Sequence, residues 1–508
     1  MDHKPVYYSV NPRYFKDSNH DGIGDFIGLG KQINYFKKIG VDALILQDIF
    51  AHDEKIYEPF INLKSDLGTT QEFATVIKHL HKHQLKVLLE LPFELLGHNY
   101  LWFKKAENAA ISFTTREFYL LQELTSEISL NSDQTLITNL MEIISLWQSL
   151  GVDGFVIKNF EYLGNPNGQE PLNERTLNLL NKLHSRVKVR NKECLWIGLS
   201  EQLSYEQINN LTHFPLKLFD KIMSYEIATI GISKKVYNDY LGLFNPKKLV
   251  KSLQKVINNE YAILAFGAPE RGRIISRWGD DLSYWKEASK CLATIFYLNK
   301  TNSNIFFGDE IGLPNYLFHN LEDQIMIEKK RELQASGFKL SKIIAGQKLH
   351  HPHNARQAIP WNNQKNGGFS KRENVEILIN HLYDEINIAN QLNDNHSILD
   401  FNCKLIALTK SNFFRKMFKY GTVKIYNKLN GVIVIKGHNN FDRFSAYINL
   451  SKATKSLRMT NLFNRKPIVL STYHQRNYFS IPRKLSAYEG IILLKTSKEY
   501  AKENNVLK

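Results

Sequence analysis

The stretch Leu29-Gly30-Lys31-Gln32-Ile33-Asn34-Tyr35-Phe36-Lys37-Lys38-Ile39-Gly40-Val41-Asp42-Ala43-Leu44-Ile45-Leu46 reads as a helix running straight into a strand. Leu29, Ile33 and Phe36 recur at helical spacing, and Gly40 supplies the left-handed stop on which helices commonly end. Val41–Leu46 is rich in apolar β-formers and lacks the strict alternation of a half-exposed strand, which suits a strand covered on both faces. The same unit repeats downstream. Thr69 and Glu72 form a capping box ahead of the helical set Phe73, Val76, Ile77 and Leu80, and the strand Lys86–Leu91 follows.

Working outward, Val6–Val10, Gly154–Ile157, Cys194–Leu199, Tyr261–Phe266 and Asn304–Phe307 read as further buried strands, with a sixth strand of the series somewhere in 214–226. Ile137, Leu140, Ile144 and Trp147 mark another amphipathic helix. Strand and helix alternating at this spacing predict a parallel α/β fold, and the length of 508 residues favours a (β/α)₈ TIM barrel. After about residue 420 the pattern changes. Thr422–Tyr426, Gly431–Lys436, Phe444–Asn449, Ile468–Leu470 and Gly490–Leu494 are short strands between turn residues, which predict a C-terminal antiparallel β-sandwich.

The composition, 43% hydrophobic and 23% charged, excludes a disordered or repeat protein. Met1-Asp2-His3-Lys4 opens no apolar signal region and no long uncharged apolar run occurs, so a cytoplasmic protein without a membrane span is expected. Cys194, Cys291 and Cys403 lie far apart, as free thiols in a reducing compartment would. The net charge of +16 is spread along the chain. With no basic helix and no aromatic-basic stripe, it reads as solvated surface and not as a nucleic-acid site.

Several segments, taken in order, resemble the oligo-1,6-glucosidase branch of the α-amylase family, glycoside hydrolase family 13. These are Val6-Tyr7-Tyr8 with Pro12-Arg13-Tyr14-Phe15, Asp17-Ser18-Asn19-His20-Asp21-Gly22-Ile23-Gly24-Asp25, and Gly151-Val152-Asp153-Gly154-Phe155. Ile274-Ile275-Ser276-Arg277-Trp278-Gly279-Asp280-Asp281 and Phe307-Gly308-Asp309-Glu310-Ile311-Gly312-Leu313-Pro314-Asn315-Tyr316 continue the likeness. Asn354-Ala355-Arg356 with Trp361 and Lys365-Asn366-Gly367-Gly368-Phe369 complete it. The resemblance implies a barrel over 1–97 and 131–420, a B-domain excursion shortened to 98–130 with a hairpin-like remnant near Phe113–Leu124, and a C-terminal domain over 421–508.

It also implies a mechanism that the residues contradict. Retaining glycosidases need a carboxylate nucleophile and a carboxylic acid on either side of the scissile bond. By the resemblance, Lys158 holds the nucleophile position, Val156 the position of a sugar-site arginine, and Leu199 the position of the acid. Lysine cannot form the glycosyl-ester intermediate. Glu201, two residues past Leu199, meets the acid position only by a shift, whereas Glu206 fits the unshifted register. Glu270 keeps a carboxylate at the third position, but Pro269 replaces the expected histidine. The third-strand motif reads Glu90 with Glu94-Leu95, and Lys55-Ile56-Tyr57 stand where a Tyr-Asp pair belongs. Lys158 and Glu270 are expected to face and neutralise one another.

Asp17, Asn19, Asp21, the Ile23 carbonyl and Asp25 place oxygens at every second residue around Gly22, which suits Ca²⁺, or Mg²⁺ with waters. The same spacing also suits a polar Asx-turn loop without a metal. Arg356 is a candidate ligand contact at the barrel mouth. His351 and His353 are expected in a solvent loop, and Trp102, Trp278 and Trp361 as packing residues first. The reading that follows is an inactive α-glucosidase homologue that binds an α-glucan or oligosaccharide, or that assembles with an active homologue. Its alternative is an active α-glucosidase using Glu90, Glu94, Glu201 or Glu270. A basic protein binding anionic polymers rests on charge alone.

Overall fold

The computed structural model describes residues 3–51, 60–93, 130–163, 171–232, 241–318, 324–457, 468–474 and 481–495. Eight parallel strands close into a barrel in chain order: β1 (Val6–Val10), β2 (Ala43–Leu46), β3 (Lys86–Pro92), β4 (Gly154–Lys158), β5 (Leu195–Ser200), β6 (Lys221–Ser224), β7 (Ala262–Leu264) and β8 (Asn302–Phe306). Closure is made by β1 against β8, with Val6 opposite Ser303. The sixth strand thus falls inside the expected window. The capping box is formed in full, since Thr69 Oγ1 accepts from Glu72 N and the Glu72 carboxylate accepts from Thr69 N.

The helix expected across Leu29 to Phe36 is two short helices, Phe26–Gly30 and Ile33–Ile39. Asp25 caps the first of them, and Gly40, at φ +89°, ends the second as expected. The helix Leu130–Ser149 buries Ile137, Leu140, Ile144 and Trp147.

Strand parity decides which side chains enter the barrel, because successive residues point to opposite faces. Val156, Ile197, Leu199, Met223 and Ile263 form one apolar cluster inside the barrel. Phe155, Ile157 and Trp196 belong to the larger core between the strands and their helices. The same parity carries Lys158 and Glu90 to the inner side.

The last helix before the C-terminal sheet is Asn412–Tyr420. The sheet has the order β13 (Ile468–Ser471), β15 (Gly490–Lys495), β11 (Arg443–Ile448), β10 (Ile433–His438), β9 (Thr422–Asn427). Its Ile433, Ile435, Phe444 and Ala446 join the core shared with the barrel. Val434, Tyr447 and Leu493 on the other face pack with Leu457 and Leu485. These two lie beside and within the small second sheet of β12 (Lys455–Ser456) and β14 (Lys484–Leu485). Asn258 joins the module to the barrel by hydrogen bonds to both the N–H and the carbonyl of Val423. Cys194 and Cys291 are buried, Cys403 is partly so, and all three are free.

Candidate functional site

A cleft of about 770 Å³ opens at the C-terminal ends of the barrel strands, the end at which such barrels carry their ligand sites. Lys158, Glu90, Glu270 and Arg356 all line it. The neutralising pair expected between Lys158 and Glu270 does not form. Lys158 Nζ lies instead 3.2 Å from Glu201 Oε1, and Glu270 Oε1 accepts from Arg356 Nη2 at 2.9 Å. Two causes separate Lys158 from Glu270. Glu270 stands at φ +58° after Pro269 and is more than half exposed at the rim. Glu201, by contrast, directly follows the C-terminal end of the neighbouring strand β5.

Register explains why Glu201 reaches the site. Lys158 pairs with Leu199 between β4 and β5. Leu199 is fully buried in the apolar layer inside the barrel. Glu201 follows two positions later on the same face, about 6.6 Å farther along the strand direction. It therefore meets the lysine above the apolar layer, two residues past the position that Leu199 holds. Glu206 does not take part. It is exposed on the short outer helix Tyr205–Ile208 and pairs with Lys255.

Below this pair, Glu90 is buried and accepts from Gln47 Nε2 at 2.8 Å. Tyr225 is buried beside the same groups. Burial and the negative charges of Glu90 and Glu201 push its phenol well above the ordinary value, against the opposing effect of Lys158. Around the rim Lys64 pairs with Asp48 at 2.6 Å, and Arg13 with Asp66. Sequence reading missed these rim residues. Their signal was position, since Asp48 comes just after the C-terminal end of β2.

Other expectations divide. Trp278 is buried and donates to the Ile230 carbonyl, and Trp361 donates to the Phe15 carbonyl, so both are packing residues. The solvent loop expected for His351 and His353 holds for His353, which is exposed, and is corrected for His351, which is buried with its ring stacked on Phe318 at 4.3 Å. Arg356 does stand at the barrel mouth. Lys55, Ile56, Tyr57, Glu94, Leu95, Trp102 and the whole of Phe113–Leu124 lie outside the described residues.

A sequence profile of the alpha amylase catalytic domain matches residues 9–126 and 110–421. The chain belongs to the alpha-amylase family. It is 23% identical over 466 residues to the oligo-1,6-glucosidase of Bacillus cereus, covering 80% of this chain and 83% of that protein. It is 22% identical to the glucan 1,6-alpha-glucosidase of Streptococcus pneumoniae, over 90% of this chain and 92% of that one. In fold it is similar to the trehalose-6-phosphate hydrolase of Bacillus licheniformis, with a TM-score of 0.81 at 19% identity, covering 98% and 100% of the two chains. Among the described residues, no helix of this alpha-amylase family member is long and apolar enough to cross a membrane.

The Asp17–Asp25 loop, for which the family likeness implies a cation, offers only oxygen donors, as Ca²⁺ prefers. The three carboxylates are turned to protein donors. Asp17 accepts from the N–H groups of Asn19, His20 and Gly22 and from Ser370 Oγ. Asp25 accepts from Ser18 N, Ser18 Oγ and Gly28 N, so its carboxylate is used as a helix cap. Asp21 accepts from Ile23 N and Asn19 Nδ2. Among the described residues no three His, Cys, Asp or Glu side chains converge as a ligand set. As arranged, the loop does not fit the ion.

Proposed function

We propose that this protein is a catalytically inactive, oligo-1,6-glucosidase-like member of the alpha-amylase family that serves carbohydrate metabolism by binding an α-glucan oligosaccharide at the barrel mouth. The observation that carries this reading is the Lys158–Glu201 pair above a buried Leu199. Double displacement needs a free carboxylate nucleophile and a carboxylic acid about 5–5.5 Å apart. Here the nucleophile position presents an ammonium group already engaged by a carboxylate, and the acid position is a hydrocarbon inside the barrel. The cleft around them still offers Tyr14, Arg13, Asp48, Asp66 and Arg356, side chains suited to sugar hydroxyls.

Purified protein should not hydrolyse para-nitrophenyl α-glucoside or isomaltose, and titration calorimetry should detect binding of isomalto- or malto-oligosaccharides. Turnover that disappears in Glu201→Gln or Glu270→Gln would replace this reading by an active α-glucosidase with relocated carboxylates. That second reading draws its support from Glu90 and Glu201, which both bear on the buried Tyr225. Absence of both turnover and sugar binding would leave assembly with an active homologue, tested by co-purification of the two chains.

A further inference from the structure

The Asp17–Asp25 loop carries three carboxylates, and the structure brings cationic side chains to it. Arg372 reaches across 351 positions so that its Nη1 donates to the Asp21 carbonyl. Its stem lies directly over Gly22, with Cδ 3.0 Å from where a Cβ on that residue would stand. Gly22 sits at φ +91°, so the position demands glycine twice, for its backbone and for the arginine above it.

The arginine is held in place by its own segment. Arg372 N donates to Ser370 Oγ at 3.0 Å, and Ser370 Oγ in turn donates to Asp17. Asn366 Nδ2 holds the Arg372 carbonyl at 2.7 Å, and Asp17 N donates to the Phe369 carbonyl at 3.2 Å. Residues 366–372 thus form an arm laid over the loop. Lys16 donates to the Gly368 carbonyl and lies within electrostatic reach of Asp17 and Asp25, as well as of Lys31 and Lys371. Lys16 offsets part of the charge of Asp17 and Asp25, and Lys31 and Lys371 add positive charge beside Lys16. A further double positive charge would be opposed by this basic surround and would have to break the cap that Asp25 makes to Gly28.

We propose that the Arg372 guanidinium, carried in on the 366–372 arm, takes the place of a divalent cation as the clamp of the Asp17–Asp25 loop. The protein purified without chelator should then contain far less than one equivalent of calcium or magnesium by elemental analysis. Neither EDTA nor millimolar calcium chloride should move its Tm. Arg372→Gln, a change at an exposed side chain, should lower Tm by roughly 1–3 °C, and calcium should restore part of that loss. One bound equivalent of metal in the wild-type protein, a fall of Tm on adding EDTA, or an unmoved Tm in the variant would each overturn the proposal.

Discussion

Lys158 and Glu201 meet at 3.2 Å across neighbouring barrel strands, where the family likeness places a nucleophile and where strand register places a carboxylate one step above the acid position. The two side chains are 20% and 30% exposed, so the pair lies between a surface salt bridge and a buried one. Its contribution to stability is accordingly modest, about 1 kcal/mol. Removing one partner costs more than removing both, because the survivor is left partly desolvated. In urea melts, Lys158→Met and Glu201→Gln should each destabilise the protein, and the double variant should be less destabilised than the sum of the two. Strict additivity would show that the pair contributes no coupling.

Placing carboxyl groups at the two positions the family likeness assigns to nucleophile and acid should fail for a structural reason. Leu199 is fully buried among Val156, Ile197, Met223 and Ile263. Leu199→Glu therefore puts a carboxyl group into hydrocarbon, at a cost of several kcal/mol or with its proton retained. Lys158→Asp combined with Leu199→Glu should lower Tm and leave α-glucosidase turnover at least about 100-fold below that of an active relative. Near-normal rates in a stable double variant would contradict the burial argument.

The rim pair behaves differently. Arg356 and Glu270 are 42% and 59% exposed, a setting in which ion pairs contribute about 0–1 kcal/mol. Arg356→Ala should leave Tm almost unchanged while weakening oligosaccharide binding by roughly tenfold, the loss of one charge-assisted hydrogen bond. Calorimetric titration of both proteins checks this. Equal affinities would remove Arg356 from the binding surface.

Asp309 predicts an unusual pH response. It is buried after β8 with Arg273 Nη1 at 3.8 Å, and burial raises its carboxyl to about 7 in spite of that arginine. A carboxyl with a folded pKa above its unfolded value binds more protons in the folded state. Its effect on stability is therefore least unfavourable below about pH 4 and grows more unfavourable as pH rises towards 7. Asp309→Asn should remove that decline, so that the variant's advantage over wild type increases from pH 5 to pH 8. Thermal melts across that range read the difference, and a constant offset between the two proteins would refute the assignment.

Local patterns settled the architecture. The run from Leu29 to Leu46, the capping box at Thr69 and the apolar strands are short-range features whose periodicity survives whatever packs against them. They announce a barrel followed by an antiparallel module. The family likeness, without coordinates, set Lys158, Leu199 and Pro269 at positions where glycosidase groups are expected. Partner choice was not legible. Lys158 takes Glu201 and leaves Glu270 to Arg356, because β4 and β5 are hydrogen-bonded neighbours and Glu270 turns outward at positive φ. Arg372 meets Asp21 only because the chain folds its 366–372 arm back over the loop. Residue types and strand parity are local, and one chain carries them on its face. Which charges meet depends on height above the barrel floor, exposure and backbone conformation, which exist only after the strands have closed.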